Sequence, residues 1–262
     1  MTRPLKSCII PVVQQQLSPQ ISVVILAYNE EATIGRCLES IMAQEQPADE
    51  IVVINNNSTD RTAEIVRQFP VRLVDEPIQG FTPARNRGFD EARYPVIVRF
   101  DADGVMPPGW LATVRELFSA QPHLLGASGP VYYHDLPGLP RISFPFPGNQ
   151  LYMRLVGCWP TLVGPNMVIT KAAWELVKNE LHHNDRAVHE DMDLAIHIRQ
   201  YGDIAYDRRL TTTTSARRLV SDPESFFIEY PLRNLRTVII HWPRPRSMAD
   251  WKLVLSGGRK QK

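Results

Sequence analysis

Two carboxylates at the end of an apolar run are the sharpest chemical feature of the sequence. Asp101-Ala102-Asp103 places them two positions apart, directly after residues 96–100. Both can reach one hard divalent cation and the phosphate oxygens that such a cation holds. Asp-x-Asp also occurs in many solvated turns, so its position after the apolar run is what favours a cation and phosphate site.

A second acidic cluster, His189-Glu190-Asp191-Met192-Asp193, begins a helix that we predict over residues 190–201, with Gly202 as its C-cap. Acidic side chains at a helix N-terminus complement the helix dipole, which accounts for one or two of these carboxylates but less well for three. A carboxylate on the same rim as a metal-bound phosphate could act as general base for an incoming hydroxyl.

The nearby His182, His183 and His189 do not by themselves indicate a metal site. Adjacent histidines point in different directions, and no ligand spacing recurs. A dedicated histidine metal site is therefore not favoured by the sequence.

Short apolar runs alternate with helical spacing and predict an open, mostly parallel α/β sheet flanked by helices. The strands are predicted at residues 21–27, 51–55, 71–74 and 96–100. Ligands of such sheets bind at the carboxyl ends of the strands. We therefore expect the polar segments 28–31, 55–60 and 101–104 to meet on one rim.

The middle of the chain is less regular. Residues 130–165 contain seven prolines, which predict a long irregular excursion with a short apolar helix around residues 151–159. That helix could pack on the core or face a lipid or partner. A strand over residues 161–170 and a helix over residues 171–179 are predicted to follow.

Composition excludes several classes of protein. The 262 residues are 44% apolar with a formal net charge of +1, which is globular rather than disordered, favours one large domain and gives no indication of nucleic-acid binding. Cys8, Cys37 and Cys158 fit neither a disulfide framework nor a zinc site, so we expect a cytoplasmic protein. The sequence contains no apolar window of membrane-spanning length.

Other catalytic motifs are absent from the sequence. There is no G-x-G-x-x-G, no G-x-x-x-x-G-K-[ST] and no G-x-S-x-G, and residues 126–129 miss the last of these by one position. Covalent catalysis by serine or cysteine therefore has no support.

Six segments together resemble the family 2 glycosyltransferases, which have the GT-A fold. The resemblance covers roughly residues 21–210, and the motifs occur in the family's order. They are residues 21–31, residues 55–62, Ala84-Arg85-Asn86-Arg87-Gly88, Asp101-Ala102-Asp103, Gly164-Pro165-Asn166-Met167 and Glu190-Asp191-Met192-Asp193.

The resemblance implies an inverting transfer of sugar from a nucleotide-diphosphate sugar to the hydroxyl of a glycan or lipid-linked acceptor, assisted by Mn²⁺ or Mg²⁺. It divides the chain into an N-terminal extension (1–20), a nucleotide-sugar half (21–104), an acceptor half (105–210) and a C-terminal extension (211–262). A sugar nucleotidyltransferase and a catalytically silent nucleotide-sugar-binding module remain as alternatives.

The resemblance also implies roles for individual residues. Asp191 would be the base and Glu190 would orient the acceptor. The metal ligands would be Asp103 and Asp101, with Asp103 favoured. The donor site would comprise Ala27, Tyr28, Glu30, Asn56, Arg85, Asp101, Ala102, Asp103, Arg217 and Arg218. The sugar or acceptor pocket would comprise Trp159, Gly164, Pro165, Asn166 and Met167.

Two departures from the family pattern bear on the donor. Asn55-Asn56-Asn57-Ser58 stands where Asp-Asp-Gly-Ser is common, and Leu26 replaces a frequent proline. An asparagine oxygen can still accept from a base N–H, but without charge assistance. UDP is therefore favoured only slightly over GDP. The paired Arg217 and Arg218 could clamp the departing diphosphate or form a solvated basic loop.

The end of the chain is basic. Residues 205–262 contain 12 Lys and Arg against 5 Asp and Glu, a local net charge of +7, interleaved with aromatic residues. This pattern predicts peripheral association with an anionic surface on the inner face of the membrane, although the aromatics could equally pack a helix onto the core. The sequence gives no indication of oligomeric state.

Overall fold

The structure is a computed structural model that describes residues 18–135, 143–144, 147–155, 160–182, 187–217, 224 and 228–241. Its strands are β1 (Ile21–Ala27), β2 (Glu50–Asn55), β3 (Arg72–Asp75), β4 (Val96–Asp101), β5 (Leu124–Ser128), β6 (Val131–Tyr133), β7 (Ser143–Phe144), β8 (Met167–Thr170), β9 (Asp203–Tyr206) and β10 (Thr212–Thr214). Its helices are α1 (Ile34–Met42), α2 (Thr62–Val66), α3 (Phe81–Glu91), α4 (Trp110–Ala120), α5 (Pro147–Leu155), α6 (Lys171–Val177), α7 (Glu190–Ile198) and α8 (Tyr230–His241).

Seven strands form one mostly parallel sheet in the order β3-β2-β1-β4-β8-β5-β9, in which β8 runs antiparallel to both neighbours. The predicted open, mostly parallel sheet flanked by helices is therefore confirmed. A second sheet has the order β10-β6-β7. Strands from residues 21–104 and from residues 105–210 share the large sheet, and the predicted division between these halves stays a prediction.

The sheet is buried on both faces, which explains the nearly continuous apolar strands. Side chains alternate along β1, so Val23 and Ile25 pack under α1 and α4 on one face. Val24 faces the other way, into the core built with α3, α6 and α7. Helix α1 follows the same logic, since Ile34, Leu38 and Ile41 are buried at helical spacing.

One predicted strand was wrong in its first part. Residues 161–170 do not form a single strand, because Gly164–Asn166 is a 3₁₀ turn and β8 begins only at Met167. Pro165 explains the difference: it has no N–H to donate to a strand ladder, and the Asn166 N–H instead donates to the carbonyl of Val163 at 2.8 Å.

The strand register brings the polar strand ends to one level. Ala27 lies opposite Asn55, and Leu26 lies opposite Asp101. After β1 and β2 the chain turns sharply through Asn29 and Asn57, whose φ angles are 53° and 63°. Asparagine tolerates this left-handed conformation better than most residues, so the turns begin directly where the strands end.

Helix α8 packs against α7. Val238 joins Met192 and Met153 in a small apolar cluster, and Thr237 Oγ1 accepts a hydrogen bond from the His189 N–H at 2.8 Å. The described part of the C-terminal segment therefore contributes to the walls around the acidic cluster. Among the described residues, no helix has the length and apolarity that crossing a bilayer requires.

Candidate active site

A cavity of about 590 Å³ opens at the carboxyl ends of the strands. It brings together most of the residues that the sequence analysis selected. These are Ala27, Tyr28, Glu30, Asn56, Asp101, Ala102, Asp103, Pro165, Glu190, Asp191 and Arg217. The three polar strand-end segments and the acidic start of α7 thus face the same cavity. More than 80 residues of sequence separate the last of these segments from α7.

One wall carries the carboxylates of Asp101 and Asp103. Thr214 Oγ1 donates to Asp103 Oδ1 at 2.8 Å. Burial, followed by the charge of Asp101, raises the pKa of Asp103 to about 6. Two neighbouring, partly buried carboxylates form an electrostatic site that favours a cation.

Glu30 and Arg217 form an ion pair beside this wall. Arg217 Nη2 lies 2.5 Å from Glu30 Oε1, while Thr33 Oγ1 donates to the other oxygen at 2.7 Å. The loop that carries Arg217 is held by Asp135, which accepts hydrogen bonds from Ser215 and Ala216. Arg217 is about half exposed and lines the cavity, so its guanidinium is accessible to a bound ligand.

Asp191 faces the cavity from the first turn of α7. Its Oδ1 lies 2.8 Å from His189 Nδ1 and accepts the Met192 N–H at 2.7 Å, while Oδ2 accepts the Gly164 N–H at 3.1 Å. Burial disfavours the charge, but His189, Arg99 and these hydrogen bonds outweigh it and lower the pKa of Asp191 to about 2. Asp191 is therefore a carboxylate, not a carboxylic acid, at neutral pH.

Glu190 is clamped by two buried arginines. Arg85 Nη1 lies 2.8 Å from Glu190 Oε2, and Arg99 donates to Oε1. Arg99 also lies 3.6 Å from Asp101 Oδ1, so one guanidinium connects both acidic clusters. Although burial opposes the charge, Glu190 and Asp101 raise the pKa of Arg99 above its ordinary value. Sequence reasoning missed Arg99, although an arginine inside a buried strand was a visible signal.

Two predicted donor residues have their side chains engaged elsewhere. Arg85 is fully buried behind Glu190 and is not part of the cavity wall. Asn56 lines the cavity, but its amide donates to the carbonyls of Glu76 and Ile78, and its oxygen accepts the Gly80 N–H at 2.8 Å. The Asn56 side chain thus anchors the main chain of residues 76–80 beside the cavity.

The residues predicted for the sugar or acceptor pocket fall into two groups. Pro165 lines the cavity, and Gly164 holds Asp191 through its N–H. Asn166 and Met167 are fully buried, and Asn166 donates to the carbonyls of Pro130 and Leu210. These two residues support the site from the core and do not contact its space.

Trp159 and Arg218 lie outside the described residues, as do His183 and most aromatics of the C-terminal segment. The structure adds wall residues that the sequence did not single out. They are Asn29, Gln79, Gly80, Phe81, Tyr133, His189, Tyr230 and Arg233. Tyr230 and Arg233 show that α8 closes one side of the cavity, a long-range packing that no local pattern predicts.

Comparison with known proteins identifies the family. The model of glycosyl transferase family 2 matches residues 22–172, which is more than half of the chain. The chain belongs to glycosyl transferase family 2. The predicted family and the predicted enzyme class, a glycosyltransferase, are thereby confirmed.

Curated relatives of this family 2 glycosyltransferase align with part of its length. The poly-beta-1,6-N-acetyl-D-glucosamine synthase of Staphylococcus epidermidis is 34% identical over 114 residues, which cover 42% of this chain and 28% of that protein. The glycosyltransferase AglE of Haloferax volcanii is 34% identical over 101 residues, covering 36% of this chain and 33% of that protein. The matched segments thus span about a third or less of these relatives.

Solved structures confirm the GT-A fold. The mannosyltransferase PcManGT from Pyrobaculum calidifontis, in complex with GDP-Man and Mn²⁺, superposes with a TM-score of 0.67 at 20% identity over 92% of this chain and 69% of that chain. S. aureus TarS 1-349 in complex with UDP-GlcNAc gives 0.64 at 18% identity over 90% of this chain and 70% of that chain.

Proposed function

We propose that this glycosyltransferase moves a sugar from a nucleotide-diphosphate sugar to an acceptor hydroxyl with inversion at the anomeric carbon. One observation carries the proposal: the ionised carboxylate of Asp191 faces the same cavity as the Asp101 and Asp103 carboxylates. Asp191 would then accept the proton of the attacking hydroxyl, and Asp101 and Asp103 would hold the phosphate of the leaving group. The volume of this cavity, about 590 Å³, is within the usual range of ligand-binding pockets.

The carboxylates fit Mn²⁺ or Mg²⁺. Both ions prefer oxygen ligands and keep phosphate oxygens in their coordination sphere. Asp103 and Asp101 would hold the ion. The pKa of Asp103 is raised first by burial and then by the charge of Asp101, and a divalent cation would offset that neighbouring charge. When bound, the ion neutralises charge on the departing diphosphate. PcManGT was solved with Mn²⁺ and GDP-Man, which supports this assignment.

The donor would lie across the strand ends. Tyr28, which is 44% exposed, and Ala27 would line the nucleoside, together with Glu30. Arg217 would move from Glu30 to the diphosphate, since a guanidinium is well suited to phosphate oxygens. Asn56 would act on the base indirectly, by fixing Gln79 and Gly80 beside it. We favour UDP over GDP as the nucleotide, a choice that rests on the sequence departures described above.

Hydrogen-bond counting supports Asp191 as the base. A carboxylate offers about four lone-pair positions. His189, Met192 and Gly164 fill three of them, two on Oδ1 and one on Oδ2. Among the residues that the structure describes, none fills the remaining position on Oδ2, which could accept the proton of an acceptor hydroxyl. The same three contacts hold the carboxylate in one orientation, as a positioned base requires.

The step is a single displacement. The acceptor oxygen bonds to the anomeric carbon from the face opposite the diphosphate, the bond from that carbon to the diphosphate oxygen breaks with its electron pair, and the hydroxyl proton passes to Asp191. Because Asp191 has a low pKa, it is a weak base, and proton transfer follows as the new bond acidifies the hydroxyl. Glu190, fixed by Arg85 and Arg99, would orient the acceptor.

The acceptor would be a glycan or lipid-linked sugar, with the enzyme lying peripherally on the inner face of the membrane. Helix α8 supports this part of the proposal, because it exposes Leu232, Leu235, Ile239 and Ile240 beside the cavity-lining Arg233. Apolar and basic residues on one helix suit an anionic membrane surface. Sedimentation with anionic vesicles at low salt should recover the protein, and Leu235→Ser with Ile239→Ser should reduce that recovery. If anionic and neutral vesicles recover equal amounts of the protein, the proposed membrane association is contradicted.

The proposal is tested by a donor panel. UDP-GlcNAc, UDP-Glc and GDP-Man, each with and without Mn²⁺, are screened for stabilisation against thermal unfolding, since a bound ligand stabilises by mass action. Release of nucleoside diphosphate is then measured with an acceptor panel, and the anomeric configuration of the product is read by NMR. Inverted product supports the proposal. Binding without release indicates a silent binding module, and formation of a nucleotide sugar from nucleoside triphosphate and sugar phosphate indicates a sugar nucleotidyltransferase.

A further inference from the structure

Four metal-ligating side chains from three segments of the chain converge beside α7, outside the cavity. Asp193 and His197 lie on α7, His182 precedes that helix, and His241 ends α8. One ligand atom from each lies within 4.8 Å of the others. The cavity wall includes none of the four, so this cluster is separate from the Asp101 and Asp103 carboxylates.

The carboxylate of Asp193 lies at the centre of the cluster and is fully buried. Its Oδ1 is 2.9 Å from His182 Nδ1, 2.9 Å from His241 Nε2 and 3.6 Å from His197 Nε2. Its Oδ2 accepts the backbone N–H of His182 at 2.9 Å. One buried oxygen therefore faces three imidazole nitrogens.

The outer hydrogen bonds determine which ring nitrogens can carry a lone pair. His241 Nδ1 lies 2.8 Å from the carbonyl of Thr237, and His197 Nδ1 lies 3.2 Å from Glu180 Oε2. A carbonyl and a carboxylate only accept, so both Nδ1 atoms carry hydrogen. In the neutral rings the two Nε2 atoms, 3.3 Å apart, then both present lone pairs to each other. Metal-ligating histidines in proteins are oriented by this kind of outer hydrogen bond.

We propose that His182, Asp193, His197 and His241 bind one Zn²⁺ ion. Ligand atoms about 2.0–2.1 Å from zinc in a tetrahedral arrangement lie about 3.3 Å apart. Four of the separations between these ligand atoms, 2.9, 2.9, 3.3 and 3.6 Å, scatter around that value. Three imidazoles and one carboxylate favour zinc over Mn²⁺ or Mg²⁺, which prefer all-oxygen sites.

The ion would fasten α8 to α7. The first turns of both helices carry residues of the active-site cavity, Asp191 on α7 and Tyr230 on α8, while their last turns carry His197 and His241 of the cluster. All four ligands come from the protein, as in structural rather than catalytic zinc sites. Zinc would therefore stabilise the wall that α8 contributes and would take no part in the sugar transfer.

Metal binding to the full chain tests the proposal. Protein treated with chelator and titrated with Co²⁺ should bind one equivalent at this cluster and show the visible absorption of four-coordinate cobalt, which Zn²⁺ then displaces. His241→Gln should weaken Zn²⁺ binding by about 100-fold or more, because even changes in outer-shell partners cost about 10- to 100-fold. The more exposed His182→Gln, a milder change to the fold, should weaken it in the same direction.

Two controls separate this site from the rest of the molecule. His123→Gln changes an exposed histidine outside the cluster and should leave Co²⁺ absorption unchanged. Asp103→Asn should also leave it unchanged. Absence of four-coordinate cobalt absorption in the unmodified chain, or absorption that persists in both His241→Gln and His182→Gln, would overturn the proposal and leave a cluster held together by protons.

Discussion

His189 Nδ1 lies 2.8 Å from Asp191 Oδ1, two residues later at the start of α7, and this contact fixes the proposed base. Burial works against charge on either group. Their mutual attraction outweighs this effect of burial, since Asp191 raises the pKa of His189 and His189 lowers that of Asp191. The His189 ring is itself held against Tyr230 of α8, with ring centroids 5.4 Å apart. The C-terminal helix thus reaches the base through a single intermediate residue.

Replacing His189 should separate positioning from binding. His189→Ala removes the group that orients Asp191, and a misplaced catalytic group can cost about 100-fold in rate. We expect kcat to fall by roughly that factor, with donor affinity unchanged. His189→Gln keeps a hydrogen-bond donor and should recover part of the loss. Steady-state kinetics and donor titration measure both quantities, and a change confined to KM would contradict the positioning role.

Cation binding should depend on pH through Asp103. Its pKa in the fold, about 6, lies above the ordinary value of 3.8, so the metal-free site holds a proton below about pH 6. A cation must displace that proton, and Mn²⁺ affinity should fall about tenfold for each pH unit below 6. The same shift destabilises the metal-free fold as pH rises from about 3.8 to about 6, because Asp103 then ionises more readily in the unfolded chain than in the partly buried site beside Asp101.

Free Mn²⁺ measured by electron paramagnetic resonance gives this dependence directly. Asp103→Asn is the matched control, since it removes the titrating group while keeping the side chain's size, and its residual binding should be independent of pH near 6. A wild-type affinity that is constant between pH 5 and pH 7 would contradict the assignment of the ligand.

Arg99 should matter for stability more than its position in an apolar strand suggests. It is 2% exposed and pairs with Glu190 and Asp101. Arg99→Met leaves buried carboxylates with less compensation, and breaking a buried pair costs about 3–5 kcal/mol. Arg61→Met removes an exposed pair with Glu31 and should have no measurable effect. Urea denaturation compares the two, and similar midpoints would contradict the importance of the buried network.

Gly88 is where α3 approaches β1 most closely. A Cβ at Gly88 would lie 2.3 Å from Val24 Cγ1 and 3.2 Å from Ile54 Cγ1. Gly88→Ala should therefore destabilise the fold by at least about 1–3 kcal/mol, the usual cost of overpacking. At Gly35 in α1 the nearest atom is 3.9 Å away, so Gly35→Ala should be neutral or slightly stabilising. Thermal unfolding measures the stability of both variants. Equal stabilities of Gly88→Ala and Gly35→Ala would contradict the prediction.

The fold was largely predictable because its elements are encoded locally. The first strand matches its prediction, Ile21–Ala27, and α1 lies in the stretch of helical spacing between the first two predicted strands. The 3₁₀ turn at Gly164–Asn166 was missed because the apolar residues on both sides of it resemble a strand. Pro165 prevents a continuous strand there, because it has no N–H to donate to a neighbouring strand.

The site was predictable only in part. Strand-end position singled out Asp101 and Asp103, and the acidic helix start singled out the cluster that contains Asp191, since both depend on short-range patterns. The choice of Asp191 within that cluster came from the family resemblance. The roles of Arg99 and of α8 depend on contacts between distant segments, which periodicity does not reveal. The same limit applies to the histidine cluster: Asp193 and His197 are one helical turn apart, but His241 reaches them only through the packing of α8 on α7.

The central claim is most directly tested by Asp191→Asn. With the donor and acceptor found in the panel, transfer should fall by about 100-fold or more, since general base catalysis contributes about 10²- to 10⁴-fold. The Kd for the donor with Mn²⁺ should be unchanged, because the asparagine is of equal size and lies on the acceptor side. Loss of turnover with donor binding retained is the predicted result. Full turnover in Asp191→Asn would contradict the account.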